Sequence, residues 1–346
     1  MARMRLGRDG IGVSDWCLGT MTWGNQTPEA DAHRQMDMAL DAGIDFVDTA
    51  EMYPVNPVRA ETAGRSEEIL GNWIARTGRR QEIVVATKLA GPGPILRPGT
   101  VPDGRILREA VEASLKRLRT DVIDLYQLHW PARGSYMFRQ NWSYDPSGQD
   151  RAATIAHMDD MLGALKDCVA EGKIRAFGLS NESCWGTVRW IDRAGATGGP
   201  RVVAVQNEYS LLCRFWDTDM AEMAVNEDVV LLAFSPLGAG FLTGKYQAGA
   251  VPEGSRMALV PEMGGRRSAR VFGAVAEYLR IAAENGLDPV HMAMAWQGTR
   301  PFAVCPIFGA TTAWQLQRIL DGRGLRLAPE VTAAIAEAHK AHPMPY

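Results

Sequence analysis

The chain of 346 residues is 46% hydrophobic and 22% charged and carries a formal net charge of −3, as expected of a globular protein with a large core. Acidic and basic residues are mixed throughout, without the clustered Lys/Arg stripe of a nucleic-acid binder, so we expect no nucleic-acid partner. The five cysteines are scattered and form no Cys-x-x-Cys pair, which argues against a disulfide framework or a zinc site and predicts reduced thiols.

No segment has the pattern of a secretory signal or a membrane helix. The first ten residues, MARMRLGRDG, carry charges that no apolar segment follows. The longest uncharged stretch, 229–244, is broken by Ser235-Pro236 and by glycines, and it is shorter than the ~18 to 20 apolar residues that a membrane helix needs. The sequence therefore predicts a cytoplasmic protein without a membrane partner.

Short apolar runs alternate with helical patterns along the chain. After an N-terminal segment in which Asp9-Gly10 predicts a hairpin turn, eight runs have the length and composition of strands buried on both faces. They are residues 16–18, 45–47, 83–86, 124–128, 176–179, 202–206, 229–234 and 303–307. This alternation, without a linker, predicts a single domain over residues 1–346 that folds as a (β/α)₈ TIM barrel with an N-terminal β-hairpin. A doubly wound α/β sheet is the alternative.

Several helices and long connections complete the pattern. Residues 103–118 place apolar side chains at helical spacing, and extra helices are predicted at 288–297 and 329–339. The connections 54–65, 131–154 and 238–267 are too long to be simple turns, and loops beyond ~12 to 15 residues are usually functional or disordered. All three follow strand ends, on the face where a barrel has its active site.

Four polar side chains stand at or after successive strand ends. Asp48 follows the second strand and is followed by Tyr53, while Lys88 ends the third strand and His129 the fourth. A phenol has an ordinary pKa of about 10 and becomes a better proton donor when a cation such as Lys88, held by Asp48, stabilises its phenolate. His129 would orient a substrate carbonyl. The set predicts a site that polarises C=O and protonates the alkoxide, with a hydride that must come from a cofactor.

Each of these residues alone also has a structural interpretation. Asp48 is typical of a cap or loop carboxylate, and Tyr53, next to Pro54, of a packed loop aromatic. Lys88 is harder to explain in that way, because a lysine that ends a buried strand needs a partner. Their occurrence at neighbouring strand ends favours chemistry. No His-x-His or comparable ligand pair ends a strand, so we expect no metal, and a metal-dependent barrel hydrolase is the least favoured function.

The sequence has no Rossmann signature for the cofactor, because no Gly-x-Gly-x-x-Gly opens a helix after a first strand. The segment SPLGAGFLTGK, 235–245, supplies a hydroxyl, backbone amides and a lysine after a strand, a combination able to hold a pyrophosphate. A flexible glycine loop is an equally good interpretation of this segment.

Motifs along nearly the whole chain resemble one family. They are LGTMTWG (18–24), DTAEMYP (48–54), EEILGNWI (67–74), ATKLAGP (86–92), IDLYQLHWP (123–131), GKIRAFGLSNE (172–182), VQNEYSLL (205–212), AFSPLGAGFLTGKY (233–246) and FGATT (308–312). This combination resembles the aldo-keto reductases, and within them the Tas-type NADP(H)-dependent members.

The resemblance implies that Asp48, Tyr53, Lys88 and His129 form the catalytic tetrad of an enzyme that reduces an aldehyde or ketone with NADPH. It also implies a set of cofactor contacts. These are Phe234 against the nicotinamide; Ser180, Asn181 and Gln206 on its carboxamide; Gly19, Thr20, Met21 and Asp48 near the nicotinamide ribose; Ser235, Pro236, Leu237, Gly238, Gly240, Leu242, Thr243, Gly244 and Lys245 along the pyrophosphate; and Gly309, Thr311, Gln315 and Arg256. Lys245, Arg256 and Gln315 are candidates for the 2′-phosphate, although Arg256 can equally be a solvated loop charge.

Two positions depart from the family pattern. Phe234 stands where many relatives have tyrosine, a change that stacking tolerates because it needs only a ring face. Arg318-Ile319 stand where relatives commonly carry Glu-Asn to meet the adenine.

The substrate and the biological role are the least specified. Trp23, Tyr53, Trp130 and Trp142 offer flat surfaces for an apolar or aromatic small-molecule carbonyl substrate, although the aromatic residues after His129 can equally pin their loop to the barrel. The alternative function is a cofactor-binding regulatory subunit, like the reductase-fold subunits of potassium channels. The sequence does not specify the oligomeric state.

Overall fold

The computed structural model describes residues 3–8 and 10–346. At its N-terminal end, strands β1 (Arg3–Arg5) and β2 (Gly12–Ser14) pair antiparallel, with Arg5 opposite Gly12. This confirms the predicted hairpin, while Asp9 of the predicted turn lies outside the described residues.

Eight parallel strands form a closed barrel. They are β3 (Cys17–Gly19), β4 (Phe46–Asp48), β5 (Val84–Leu89), β6 (Ile123–Leu128), β7 (Ile174–Ser180), β8 (Val202–Glu208), β9 (Val230–Phe234) and β10 (Val304–Phe308). Neighbours in the barrel follow chain order, and β10 closes onto β3. The (β/α)₈ prediction is confirmed, and the doubly wound alternative is wrong because this sheet has no free edges. The third predicted strand runs one residue past Lys88, to Leu89.

Helices cover the outside of the barrel. They are α1 (Glu29–Asp41), α2 (Arg65–Thr77), α3 (Gly104–Leu118), α4 (Arg151–Ala170), α5 (Cys184–Thr197), α6 (Asp219–Glu227), α7 (Arg256–Leu259), α8 (Ala269–Glu284), α9 (Pro289–Gln297), α10 (Ala313–Leu320) and α11 (Pro329–Ala341). The predicted helices correspond to α3, α9 and α11. Asp103 caps α3 by accepting from the Ile106 amide at 2.8 Å, and Asp288 caps α9 in the same way. None of the helices in the described part of the chain has the length and hydropathy that a bilayer crossing requires.

The barrel interior changes character along its axis. Its N-terminal end is filled by an apolar cluster that includes Phe46, Ala86, Leu125 and Ala204, together with Leu6 of the hairpin segment. Because side chains alternate between the two faces of a strand, residues two positions further along face the same interior. Those positions hold Asp48, Lys88, Gln127 and Gln206. The strands therefore carry a polar layer directly above an apolar one, at the C-terminal mouth of the barrel.

The connection 238–267 is folded into short helical turns at Gly238–Thr243, Gln247–Gly249 and Met263–Gly265, in addition to α7. It buries Tyr246, Met257 and Met263 almost completely. These side chains belong to the main hydrophobic core, so the segment is packed against the rest of the molecule at several points.

Candidate active site

Lys88 organises the polar layer at the barrel mouth. Its side chain is fully buried, and Nζ donates to Asp48 Oδ2 at 2.6 Å, to the Thr49 carbonyl oxygen at 2.7 Å and to the Tyr53 hydroxyl at 3.4 Å. An ammonium has three N–H donors, so each is used. A buried cation without such partners would be strongly unfavourable, and these bonds therefore hold Lys88 in one position against the phenol.

Tyr53 and His129 complete the group. Tyr53 lies in the turn after β4, where its amide donates to the Ala50 carbonyl oxygen at 3.0 Å. Its ring meets the His129 imidazole edge-on, with the ring centroids 5.7 Å apart, and both residues are buried. The structure thus brings together the four residues predicted at the strand ends.

Burial and charge set the protonation states of these groups. Burial raises the pKa of Tyr53, and the opposing effect of Lys88 offsets this only in part. The expected influence of Lys88 on the phenol is therefore present but smaller than the influence of burial. Burial acts to lower the pKa of Lys88, but Asp48 and Tyr53 act in the other direction and the net shift is upward. Burial and then the Lys88 charge hold the pKa of His129 well below its usual value. At neutral pH the site therefore has a protonated phenol, an ammonium and a neutral imidazole.

A row of amides lies beside the tetrad on β7 and β8. Asn181 Nδ2 donates to the His129 carbonyl oxygen at 3.0 Å and to Ser180 Oγ at 3.1 Å, and Ser180 Oγ donates to the Gln206 carbonyl oxygen at 2.8 Å. Asn181 Oδ1 is buried and accepts no hydrogen bond from the described residues. Leaving such an oxygen unpaired costs about 1–3 kcal/mol. An N–H donor of a nicotinamide carboxamide would satisfy it. These residues therefore fit the nicotinamide that the family resemblance implies.

The other predicted cofactor residues ring the same mouth. Gly19 and Gly309, at the ends of β3 and β10, come so close that a Cβ on Gly309 would lie 3.1 Å from the Gly19 carbonyl oxygen. Thr20 is buried and donates to the Asp48 carbonyl oxygen, and Phe234 ends β9 half-buried. Thr311 donates to Gln315 Oε1 through both its amide and its hydroxyl, at 3.1 and 3.0 Å.

The belt segment 235–245 depends on left-handed backbone. Gly238 has a φ of +57°, and a Cβ there would lie 2.7 Å from Leu212 Cδ1. Gly240 and Gly244 also have positive φ, which glycine tolerates without steric cost. The amides of Gly238 and Gly240 donate to Ser235 and Leu237 within the segment, so part of its donor set is used internally.

Positive charge gathers at the belt side of the mouth. Glu208 accepts from Arg139 and Arg266, each at 2.7 Å, and from the Tyr346 hydroxyl at 3.0 Å. Arg256 has no side-chain hydrogen bond or ion pair within the described ranges. Burial, and then Arg266, lowers the pKa of Arg256 to about 10, and its charge also acts on the Tyr53 phenol. An arginine that is half-buried and lacks a carboxylate partner is suited to an anionic ligand.

Among the tryptophans predicted to contact substrate, the structure places one beside the tetrad. Trp130 is half-buried, with its ring 5.0 Å from His129. It lines a cavity of about 380 Å³ whose other walls include Leu128, Met158, Leu179 and Trp190. Trp23 is fully buried in the core and donates to Gln35 Oε1 at 3.0 Å. Trp142 is 57% exposed, with Arg270 over its ring.

Gln127 is a site residue that the sequence reasoning missed. It is fully buried on β6 and its Nε2 donates to Asp48 Oδ1 at 3.2 Å. Strand alternation contained the necessary signal, because Gln127 lies two positions before His129. Arg318, one of the departures from the family, forms a two-point ion pair with Asp288 at 2.9 and 3.1 Å.

Disulfide and metal chemistry have little support in the described residues. The cysteines are free thiols. The described residues contain no group of three or more His, Cys, Asp or Glu side chains arranged to hold a metal ion.

Comparison with known proteins identifies the family. The model of the Aldo/keto reductase family matches residues 16–340. Protein tas of Escherichia coli K12 is 41% identical over 99% of this chain and 98% of its own length. A probable voltage-gated potassium channel subunit beta of Arabidopsis thaliana is 30% identical over 92% of this chain and 89% of its own. The aldo-keto reductase yakc of Schizosaccharomyces pombe, whose name specifies NADP(+), is 29% identical over 96% and 90%.

The chain therefore belongs to the aldo/keto reductase family. As a member it is an oxidoreductase of a family that acts on small-molecule carbonyl substrates and generally uses a nicotinamide cofactor.

Proposed function

We propose that this protein reduces an aldehyde or a ketone to the alcohol with NADPH, and that Tyr53 supplies the proton. The observation that carries the proposal is the Lys88 ammonium, whose N–H donors join Asp48, the Thr49 carbonyl and the Tyr53 hydroxyl. A purely structural ion pair needs no contact with a phenol at the mouth of a barrel. Asp48, Tyr53, Lys88 and His129 are accordingly proposed as the catalytic residues.

When bound, the nicotinamide would supply a hydride for the carbonyl carbon, and the residues of the chain would orient and protonate the carbonyl oxygen. His129 is neutral because burial and Lys88 hold its pKa low, so its imidazole donates one hydrogen bond to the carbonyl oxygen and orients it. As negative charge develops on that oxygen, the Tyr53 hydroxyl transfers its proton to it. The products are the neutral alcohol and a phenolate.

Lys88 stabilises the phenolate from 3.4 Å. Asp48 and the Thr49 carbonyl oxygen prevent the ammonium from turning away, so its charge is already in place when the phenolate forms. The phenol regains its proton from water before the next cycle. Removing Lys88 would leave a buried phenolate without a counter-charge, which is strongly unfavourable.

The proposed cofactor is NADPH, which carries a 2′-phosphate that NADH lacks. Arg256 is a half-buried cation without a carboxylate partner among the described residues, and its charge is therefore available to a 2′-phosphate. A family relative is named for NADP(+). Ser180, Asn181 and Gln206 are proposed to hold the carboxamide, and the belt 235–245 to hold the pyrophosphate.

The proposal also covers the domain organisation of the protein and its cellular compartment. We treat residues 1–346 as one domain, supported by the family match over residues 16–340 and by the arrangement of the helices around one barrel. The free thiols support a cytoplasmic, reducing environment.

A panel of aldehydes and ketones, assayed by the loss of NADPH absorbance, tests the proposed reaction. We expect turnover of at least one apolar or aromatic aldehyde by the wild-type protein, and turnover lower by roughly 10²-fold or more by Tyr53→Phe, which is the matched control. If the wild type binds NADPH tightly but reduces no member of the panel, the reductase assignment is wrong. The regulatory-subunit alternative would then gain.

A further inference from the structure

Gln127 connects two parts of the site that the mechanism treats separately. It is fully buried on β6, and its Nε2 donates to Asp48 Oδ1 at 3.2 Å. Its Oε1 accepts from Gln206 Nε2 at 3.1 Å, and the same Gln206 nitrogen donates to Asp48 Oδ1 at 2.8 Å. One side chain thus contacts both the carboxylate that holds Lys88 and the amide proposed to meet the cofactor.

The Asp48 carboxylate determines the orientation of the side-chain amides of Gln127 and Gln206. An ionised carboxylate has only acceptors, so Gln127 and Gln206 must both present nitrogen to Asp48. The oxygen of Gln127 is then directed to the second N–H of Gln206. With both hydrogens of its nitrogen used, Gln206 has only Oε1 left for a ligand, and within the described ranges that atom accepts no hydrogen bond.

Asn181, like Gln206, has only its side-chain oxygen left for a ligand, although its nitrogen has different partners. Both hydrogens of its nitrogen are used, on the His129 carbonyl oxygen and on Ser180 Oγ, and its buried Oδ1 has no partner. Asn181 follows β7, and its amide donates to the Gln206 carbonyl oxygen at 2.9 Å. Neighbouring strands therefore present two acceptor oxygens and no free side-chain nitrogen. The complementary ligand group is a primary amide, which offers two N–H donors.

We propose that Gln127 is a positioning residue that turns the Gln206 oxygen toward the nicotinamide and so makes this site selective for the NH₂ of the carboxamide. The inference rests on the proposed function in that it assumes a nicotinamide cofactor. It adds a residue that does not touch the cofactor, together with a defined chemical consequence. Without Gln127, one hydrogen of the Gln206 side-chain nitrogen has no acceptor among the described residues, and only the bond to Asp48 remains to hold the amide in this orientation.

The test compares the binding of NADP⁺ with that of its 3-acetylpyridine analogue, in which a methyl group replaces the NH₂. Affinities are measured by calorimetry on the full chain, so no turnover is needed. The wild type should prefer NADP⁺. Gln127→Leu should reduce that preference by about fivefold, roughly the effect of one hydrogen bond, through weaker NADP⁺ binding while the analogue binds as before. Gln127→Met, which is closer in volume, should behave in the same way and serves if the leucine variant does not fold.

A second buried glutamine provides the control that separates positioning from packing. Gln297→Leu removes another buried glutamine, one whose Nε2 donates to the Tyr209 carbonyl oxygen, and should leave the preference unchanged.

Each outcome has a distinct meaning. If folded Gln127→Leu and Gln127→Met discriminate between the two ligands as well as the wild type does, Gln127 has no positioning role and the inference is wrong. If they weaken both ligands equally, the role is structural and the inference is again wrong. If the wild type binds neither dinucleotide, the proposed function fails and this inference fails with it.

Discussion

Two buried aspartates at opposite ends of the barrel illustrate how a structural ion pair differs from one that we propose to act in catalysis. Asp124, near the start of β6, accepts from Arg80 and Arg175, each at 2.7 Å, and from the Val85 amide at 2.9 Å. Asp48, the last residue of β4, accepts from Lys88 at 2.6 Å and from the amides of Gln127 and Gln206. Both carboxylates are almost completely buried and fully hydrogen-bonded.

The difference lies in what else the cation touches. The remaining bonds of Arg80 go to the Thr120 hydroxyl and to backbone carbonyls, and a guanidinium stays charged throughout the accessible pH range. Lys88 gives its third N–H to Tyr53, a group that can release a proton. In barrels of this kind the N-terminal face serves stability and the C-terminal face serves chemistry. Under the proposed mechanism, the same kind of ion pair serves either purpose in this protein, depending on whether a titratable group lies next to the cation.

The largest expected effect is on turnover and comes from Tyr53→Phe. The change removes one hydroxyl, and kcat should fall by roughly 10² to 10⁴-fold, the typical contribution of a positioned proton donor, while NADPH binding survives. Lys88→Met acts through the same phenol, so the double variant should be little worse than either single one. Steady-state kinetics and cofactor titration measure both quantities. If Tyr53→Phe turned over substrate at the wild-type rate, the proposed distinction between the two aspartates would be wrong.

At the other end of the barrel, Asp124→Asn should affect stability and not chemistry. Two arginines lose their counter-charge, but Arg175 is half-exposed and can be hydrated, so we expect the free energy of unfolding to fall by only about 2 to 3 kcal/mol. Urea denaturation measures this change, and kcat of the folded variant should equal that of the wild type. A fall in kcat comparable to that of Tyr53→Phe would contradict the assignment of Asp124 to stability.

A smaller effect is expected at Arg256. Among the described residues, its side chain has neither a carboxylate nor a phenol as a hydrogen-bond partner. If it meets the 2′-phosphate, Arg256→Ala should weaken NADPH by about tenfold, equivalent to ~1.4 kcal/mol, and leave NADH nearly unchanged. Fluorescence titration with both cofactors provides the comparison, and Arg270→Ala, an exposed arginine over Trp142, is the matched control. Equal weakening of both cofactors would mean that Arg256 does not address the phosphate.

The smallest change concerns pH. Reduction needs the Tyr53 phenol protonated, and burial raises its pKa above the ordinary value. We therefore expect kcat/KM for reduction to stay level through neutral pH and to decline only above about pH 10, the ordinary range of a phenol. His129, with its pKa well below normal, should add no decline near pH 6.5. Asp124→Asn should give the same profile, and a decline well below pH 10 would show that Lys88 outweighs burial.

The sequence by itself determined the barrel and predicted which four polar residues lie together at its mouth. Eight buried runs, each followed by a helical pattern, are a local signal, and so are polar residues at strand ends such as Asp48 and His129. Strand order in a parallel barrel follows chain order, so adjacency of these residues required no further information.

The tertiary structure decided the environment of each group, because burial and hydrogen-bond partners come from distant parts of the chain. Gln206 reaches Asp48 across 158 positions of sequence, and no local pattern encodes that contact. The same dependence explains why burial outweighs Lys88 at Tyr53 and why Trp23 lies in the core while Trp130 lies beside His129. Strand alternation places Gln127 on the interior face, but its contacts with Asp48 and Gln206 form only in the closed barrel. Sequence periodicity specifies which face of a strand a side chain occupies, whereas closure of the barrel specifies what that side chain meets.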